Sequence, residues 1–426
     1  MLCLDDDKWQ IMLTLSDYFP KNTEYFYSYP VGDTFYFYNA GDPVDDELIS
    51  ARLLVCAGED IKVVVYNSIL KDGSLKLLRE NSDISFVGED QIIPLPETIN
   101  EDVLGNERNE VITEALLERT SSGNLIMAQP ILDERLINDY QIDPKLSIWL
   151  NDKKNLDQYV PASLLPKRYA EFVNGKDLFD SKIKLPIPCV VKISASSSGE
   201  GIRLCLTREA LEQAKVDFKE RTGTLFVEEH ISYTHNIGFQ FGIPFNKPRF
   251  FPSHIIGYNH QVTAADGEFL GGFIYAKEWD AKIEEVKTVL ETEILPKIQE
   301  KDWYGVGSFD VLIDAEGKFY IIDSNFRTTG MTAYVLLTKN NQIGKSMISF
   351  TATFKGTEKE FIKRVLSLNH GKKKILTIIS LTKKDDEYRF NAALLFDQRK
   401  ELPALALKLT DQGVKSVVLE MLKKEA

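Results

Sequence analysis

The stretch from Ser308 to Gly330, SFDVLIDAEGKFYIIDSNFRTTG, constrains this chain more than any other. Phe309, Val311 and Ile313 alternate with Asp310 and Leu312, Asp314-Ala-Glu-Gly317 is a turn signal, and Phe319 to Asp323 resumes the strand pattern. A β-hairpin follows. With an even-numbered loop, Ile313 faces Lys318, Leu312 faces Phe319 and Asp310 stands opposite Ile321. Side chains alternate with period 2, so Ile321, Asp323 and Asn325 fall on the face that carries Asp310. In that register Asp310 and Asp323 are diagonal neighbours, with Cα atoms roughly 7–8 Å apart.

Such a gap accommodates one or two hard cations. Two carboxylates and an amide oxygen suit Mg²⁺, leaving positions for water and phosphate oxygens. Arg327, two residues beyond Asn325, adds a fixed positive charge. A solvated hairpin with acidic turns accounts for Asp314 and Glu316. It does not account for an Asp and an Asn inside strands, where both types are depleted. The metal reading of Asp310, Asp323 and Asn325 is therefore preferred.

At 426 residues the chain is long enough for two or three domains with ample cores. A formal net charge of -13 argues against general binding to nucleic acid or anionic membranes, while leaving room for a local basic pocket. Cys3, Cys56, Cys189 and Cys205 form no CxxC pair and are expected to be free thiols in a reducing compartment. The opening MLCLDDDKWQ has neither the basic start nor the apolar run of a signal peptide, and no stretch of ~20 apolar residues occurs. A cytoplasmic location is expected. His230, His235, His254, His260 and His370 show no zinc spacing.

Along the chain, Thr34–Tyr38 reads as a strand, Asp45–Leu54 as a helix and Ile61–Tyr66 as a strand covered on both faces. That order suggests an α/β unit, and Thr120–Asn124 reads as a linker. Asn151 or Asp152 caps a helix whose first turn holds Lys153 and Lys154. These lysines oppose the helix dipole; either they extend into water or one reaches a phosphate. Cys189–Ile193 is a strand carrying Lys192, which must snorkel or meet an anion. Ser194-Ala-Ser-Ser-Ser-Gly-Glu-Gly201 follows, rich in amide and hydroxyl donors that can close over phosphate. It lacks the lysine pattern of a P-loop. Leu225–Ile231 is strand-like and runs into an acidic pair, Glu228 and Glu229. His235–Gly242 is another, with Asn236 and Gln240 as polar inserts. Trp279–Glu300 is an amphipathic helix with Ile283, Val286, Leu290 and Ile294 toward the core.

Taken in order from about Asn151 to Tyr334, these pieces resemble the ATP-grasp superfamily, and the layout is similar to that of pheganomycin-type peptide ligases. The resemblance implies an α/β (α+β) chain in three parts. An α/β domain over 1–122 precedes an ATP-grasp domain over 123–355, whose lid subdomain covers about 186–232. A small α/β domain over 356–426 follows. It implies that Asp310, Asp323 and Asn325 bind Mg²⁺, with Mn²⁺ as a substitute, and that Arg327 is catalytic. Lys153 is then the first nucleotide lysine and Lys192 the second, while Ser196, Ser197, Ser198, Gly199 and Gly201 belong to a loop covering the ATP phosphates. Glu228, Glu229, His230 and Ile231 lie at the hinge that holds adenine. Two features depart from the family's pattern: many relatives have glutamate at both metal positions, and Ser232–Gly238 offers no acidic residue for the ribose.

The resemblance implies ATP-dependent joining of a carboxylate to an amine, with amino acids or peptides as substrates, through an acyl phosphate. A small-molecule kinase on the same scaffold and a non-catalytic ATP-binding module are the alternatives. Arg327 speaks against the last, because binding alone does not require it.

Overall fold

The computed structural model describes residues 13–21, 24–28, 43–97, 105–196, 201–245, 254–265, 267–278, 280–369 and 374–425. The strand expected at Thr34–Tyr38 lies outside these residues.

Four parallel strands open the fold: β1 (Tyr25–Ser28), β2 (Ile61–Val65), β3 (Ile92–Pro94) and β4 (Leu125–Met127), in the order β3-β2-β1-β4. The near-continuous apolar run of β2 is explained by its two covered faces. Ile61, Val63 and Val65 enter one core, and Val64 and Tyr66 enter another on the opposite side. A helix at Pro43–Ala51, continued by a 3₁₀ turn at Arg52–Val55, leads into β2.

A second sheet is antiparallel: β5 (Arg168–Phe172), β6 (Cys189–Ile193), β7 (Ile202–Cys205) and β8 (Leu225–Glu229), in the order β5-β8-β6-β7. The helix Arg208–Phe218, capped by Thr207 Oγ1 on the Ala210 amide, buries Leu211, Ala214 and Phe218 against it.

The third sheet has nine strands. β9 (His235–Ile243), β10 (His254–Thr263), β11 (Phe269–Ile274), β12 (Gly305–Ile313), β13 (Phe319–Asn325), β14 (Ser346–Lys355), β15 (Leu376–Lys384) and β16 (Glu387–Phe396) run in the order β13-β12-β9-β10-β11-β14-β16-β15, and β17 (Val414–Lys415) pairs with β14. β14 pairs with β11 on one side and β16 on the other, so strands on both sides of residue 355 share one sheet. Ile283, Val286, Leu290 and Ile294 pack on the core face of β9, β12 and β13. Their helix runs from Ala281 to Gln299 with a π-helical turn at Leu290–Ile294; Trp279 lies outside the described residues. Pro296, just beyond that turn, has no amide hydrogen to continue the regular ladder. No helix among the described residues is long and apolar enough to cross a membrane.

Candidate active site

The β12–β13 hairpin differs from its expected register. Ile313 stands opposite Phe319 and Val311 opposite Ile321; beyond a bulge between Val311 and Asp310, Asp310 pairs with Asp323 and Ser308 with Asn325. Asp310 therefore faces Asp323 directly, not Ile321, and the two acids are not diagonal neighbours. Ile321 lies with Val311 in the core beneath the sheet. The loop is one residue longer at its closing pair than an even-numbered turn allows. The Asp314 amide bonds the Lys318 carbonyl at 2.9 Å, Asp314 Oδ1 accepts the Lys318 amide at 2.8 Å, and Gly317 takes φ +79°. The bulge decides which side chains share the cavity face. In the register of the hairpin's tip, strict alternation would send Asp323 into the core with Ile321. The extra residue instead puts Ile322 and Asp323 consecutively on the cavity face, with Asp310 and Asn325. Ser324 then turns inward, its Oγ 2.8 Å from Tyr159 Oη and donating to the Leu150 carbonyl at 3.2 Å.

Asp310 Oδ1 accepts Gln261 Nε2 at 2.7 Å. Burial and the facing Asp323 raise its carboxyl to about 7, against the opposing pull of Gln261, Lys153 and Arg327. Lys153 Nζ lies 3.3 Å from Asp323 Oδ2 and donates to the Ser196 carbonyl at 2.8 Å. The acidic pair is thus only partly compensated, and a hard divalent cation held by Asp310, Asp323 and Asn325 fits this donor set. No group of three or more His, Cys, Asp or Glu residues suited to a metal occurs among the described residues. The third oxygen in this set is an amide.

Lys153 reaches its place through a 3₁₀ turn rather than an α-helix. Asn151 ends the helix Pro144–Asn151, and Asp152 caps Lys153–Gln158 by accepting the Lys154 amide. The Lys153 amide bonds the Ser194 carbonyl at 2.9 Å, tying the turn to the end of β6. Lys154 points outward and pairs with Asp152.

Lys192, on β6, meets an anion rather than snorkelling: its Nζ is 3.0 Å from Glu228 Oε2 on β8 and donates to the Ile322 carbonyl at 3.3 Å. Glu228, buried and also approached by Arg168, is the counter-ion rather than a solvated strand end. Glu229, His230 and Ile231 line the cavity, and the His230 Nδ1 is buried without a hydrogen-bond partner. Ser196 and Gly201 pack at the neck of the Ser/Gly loop, where a Cβ on Gly201 would come 2.4 Å from the Ser196 side chain. Ser197, Ser198 and Gly199 lie outside the described residues.

Most of these residues meet at one cavity of about 690 Å³. Lys192, Glu229, His230, Ile231, Asp310, Asp323, Asn325 and Arg327 line it; Lys153, Ser196, Gly201 and Glu228 do not, although Lys153 contacts Asp323 and Glu228 contacts Lys192. Arg327 is buried, and its Nη1 donates to the Thr328 carbonyl at 3.3 Å. Gln240 Oε1 accepts Thr332 Oγ1 at 2.8 Å, and its Nε2 donates to Thr329 Oγ1 at 3.1 Å, bracing the turn after Arg327. Sequence reasoning named neither Gln261 nor Asn259. Their signal is polar alternation along β10, where Asn259, Gln261 and Thr263 share the cavity face.

Residues 166–325 match the family model described as L-aspartate–L-methionine ligase, ATP grasp. The match holds Lys192, Glu228, Asp310, Asp323 and Asn325, and leaves out Lys153 and Arg327. Biotin carboxylase from Campylobacter jejuni superposes with a TM-score of 0.56 at 13% identity, over 93% of this chain and 95% of that one. An L-amino acid ligase from Bacillus licheniformis gives 0.53 at 14% identity, over 93% and 99%. N5-carboxyaminoimidazole synthetase from Staphylococcus aureus gives 0.53 at 12%, over 92% and 99%. The end-to-end superpositions and the family match over residues 166–325 agree on one fold, the ATP-grasp fold.

Proposed function

We propose that this protein joins the carboxylate of an amino acid or peptide to an amine, consuming ATP with Mg²⁺ as cofactor and releasing ADP and phosphate. The observation that carries this reading is the Asp310–Asp323 pair, set face to face by the β-bulge beside Asn325 and Arg327, in the same cavity as Lys192. The family match and the likeness to an L-amino acid ligase support it.

Lys192 and Lys153 supply positive charge toward the ATP phosphates, and the Ser196–Gly201 loop supplies amide and hydroxyl donors. Glu229, His230 and Ile231 border the adenine. Asp310, Asp323 and Asn325 would hold Mg²⁺, which would supply positive charge to offset that of the ATP phosphates. A substrate carboxylate oxygen attacks the γ-phosphorus, the bond to the bridging oxygen breaks, and ADP leaves. The amine nitrogen then attacks the acyl carbon. The intermediate collapses with loss of phosphate, which carries away the carboxylate oxygen, and the nitrogen gives up a proton. Arg327 holds the carboxylate and offsets the oxyanion that forms at the acyl carbon. ATP as a substrate and the three free, buried thiols of Cys56, Cys189 and Cys205 support a cytoplasmic setting.

The test is mass spectrometry of phosphate released from an ¹⁸O-labelled carboxylate. Labelled phosphate together with ADP is expected. AMP, or phosphate without label, would move the protein to adenylation or to plain kinase chemistry.

A further inference from the structure

The cavity extends beyond the acidic pair to a second, differently built end. There the 3₁₀ turn after the first helix contributes Arg52, β14 contributes Thr351 and β16 contributes Asn391. Arg52 Nη2 donates to Asn391 Oδ1 at 3.3 Å, Thr351 Oγ1 donates to the same oxygen at 2.9 Å, and Asn391 Nδ2 donates to Ser380 Oγ at 2.8 Å. This network holds the guanidinium in place without neutralising it. No carboxylate among the described residues pairs with Arg52, and its Nε is buried with no hydrogen-bond partner. Arg52 is half-buried with its Nε shut off from water, and a guanidinium in that state is best completed by something anionic.

Two more groups at this cavity are poised in the same way. Asn259 is 1% exposed and Tyr334 is 2% exposed, and the Asn259 amide oxygen and nitrogen and the Tyr334 hydroxyl all lack partners. Native interiors rarely leave such groups unsatisfied unless a ligand or water meets them. Asn259 has its place because Gly238 and Gly272 flank it: a Cβ on either would come 3.0 Å and 2.6 Å from its amide. Arg52 Nη1 lies 3.4 Å from where a Cβ of Gly330 would stand, three residues past Arg327. Both guanidiniums therefore line one cavity, Arg52 beside Gly330 and Arg327 three residues earlier in the chain.

We propose that Arg52 binds the free α-carboxylate of the amine-donating substrate, with Asn259 and Tyr334 completing its polar contacts, so that the amine substrate is an α-amino acid. This rests on the ligase reading above. The carboxylate being activated belongs at Arg327 and the acidic pair and loses an oxygen there. A second carboxylate, held apart by Arg52, belongs to a molecule that keeps its own, as an attacking amino acid does. A bidentate guanidinium–carboxylate pair suits that recognition.

The test uses calorimetry on the full chain without ATP, with the twenty L-amino acids and their α-amides as probes. At least one free amino acid should bind, and its amide should bind about 10–100-fold more weakly, the scale of a charged hydrogen bond. Arg52→Gln should bring that ratio close to one, and Arg52→Lys should restore part of it. In turnover, Arg52→Gln should raise KM for the amine by a similar factor and leave KM for ATP and for the acyl donor unchanged. Equal binding of acid and amide, absence of any amino-acid binding, or a shift confined to the acyl donor would overturn the assignment. A wild-type protein that releases no ADP with any pair of substrates would instead overturn the ligase reading, and the binding comparison would still decide the role of Arg52.

Discussion

Lys153 Nζ lies 3.3 Å from Asp323 Oδ2 and 2.8 Å from the Ser196 carbonyl, so one buried ammonium joins the acidic pair to the neck of the Ser/Gly loop. Its removal leaves Asp323 facing Asp310 with less compensation. Lys153→Ala is expected to lower the melting temperature of the metal-free protein and to raise KM for ATP. Lys153→Arg should recover part of the stability. Thermal denaturation in EDTA, paired with ATP titrations, separates the two effects.

Lys192 and Glu228 are both buried, so removing Lys192 leaves Glu228 with only the more distant Arg168 at 3.7 Å, and removing Glu228 leaves Lys192 without its carboxylate. Lys192→Ala should cost about 3 kcal/mol or more of stability as well as weakening ATP binding. The double variant Lys192→Met with Glu228→Gln should recover most of the stability and none of the ATP affinity. Denaturant melts and nucleotide titrations of the three variants check this. Recovery of ATP affinity in the double variant would show that the lysine serves only the fold.

Asp310 gives a pH dependence whose sign is opposite to that of an ordinary paired carboxylate. Its folded value, about 7, lies above the 3.8 of the free group, so the folded state binds the extra proton between those values. The contribution of this group to stability is therefore full below pH 3.8 and is lost as pH rises toward 7. In EDTA, Asp310→Asn should raise stability at pH 8 by on the order of 1 kcal/mol or more and flatten the slope between pH 5 and pH 8. Chemical denaturation across that range is the measurement.

Asp323→Asn should abolish Mg²⁺-dependent turnover with the fold intact, because the change keeps the side-chain shape and removes one charge at a partly exposed site. Near-native activity in Mg²⁺ would sink the metal assignment. Circular dichroism alongside the assay confirms folding.

Arg327→Ala should lower kcat by on the order of 10²–10³, the scale of one oxyanion donor, with a much smaller effect on ATP affinity. Steady-state kinetics at saturating ATP reads the first, and nucleotide titration the second.

The local facts of the site were written in the sequence. Period-2 alternation and the Asp314–Gly317 turn specify a hairpin, and the apolar run around Lys192 specifies a strand that must find that lysine a partner. The spacing of Ile283, Val286, Leu290 and Ile294 specifies the helix face that packs beneath the site. Each of these depends on neighbours a few residues apart, which is the range over which backbone geometry repeats.

Tertiary structure decided the rest. Alternation assigns a side chain to a face only while the register is unbroken, and one bulged residue reverses it; that is how Asp323 comes to face Asp310 while Ile321 enters the core. The anion that meets Lys192 is Glu228, on a strand that is adjacent only because β8 lies between β5 and β6. Arg52 and Asn391 meet across 339 residues, because strands beyond residue 355 extend the central sheet toward the first helix. Such contacts are set by how sheets and helices bury their apolar faces together, and no local pattern records which distant polar groups that burial brings into one cavity.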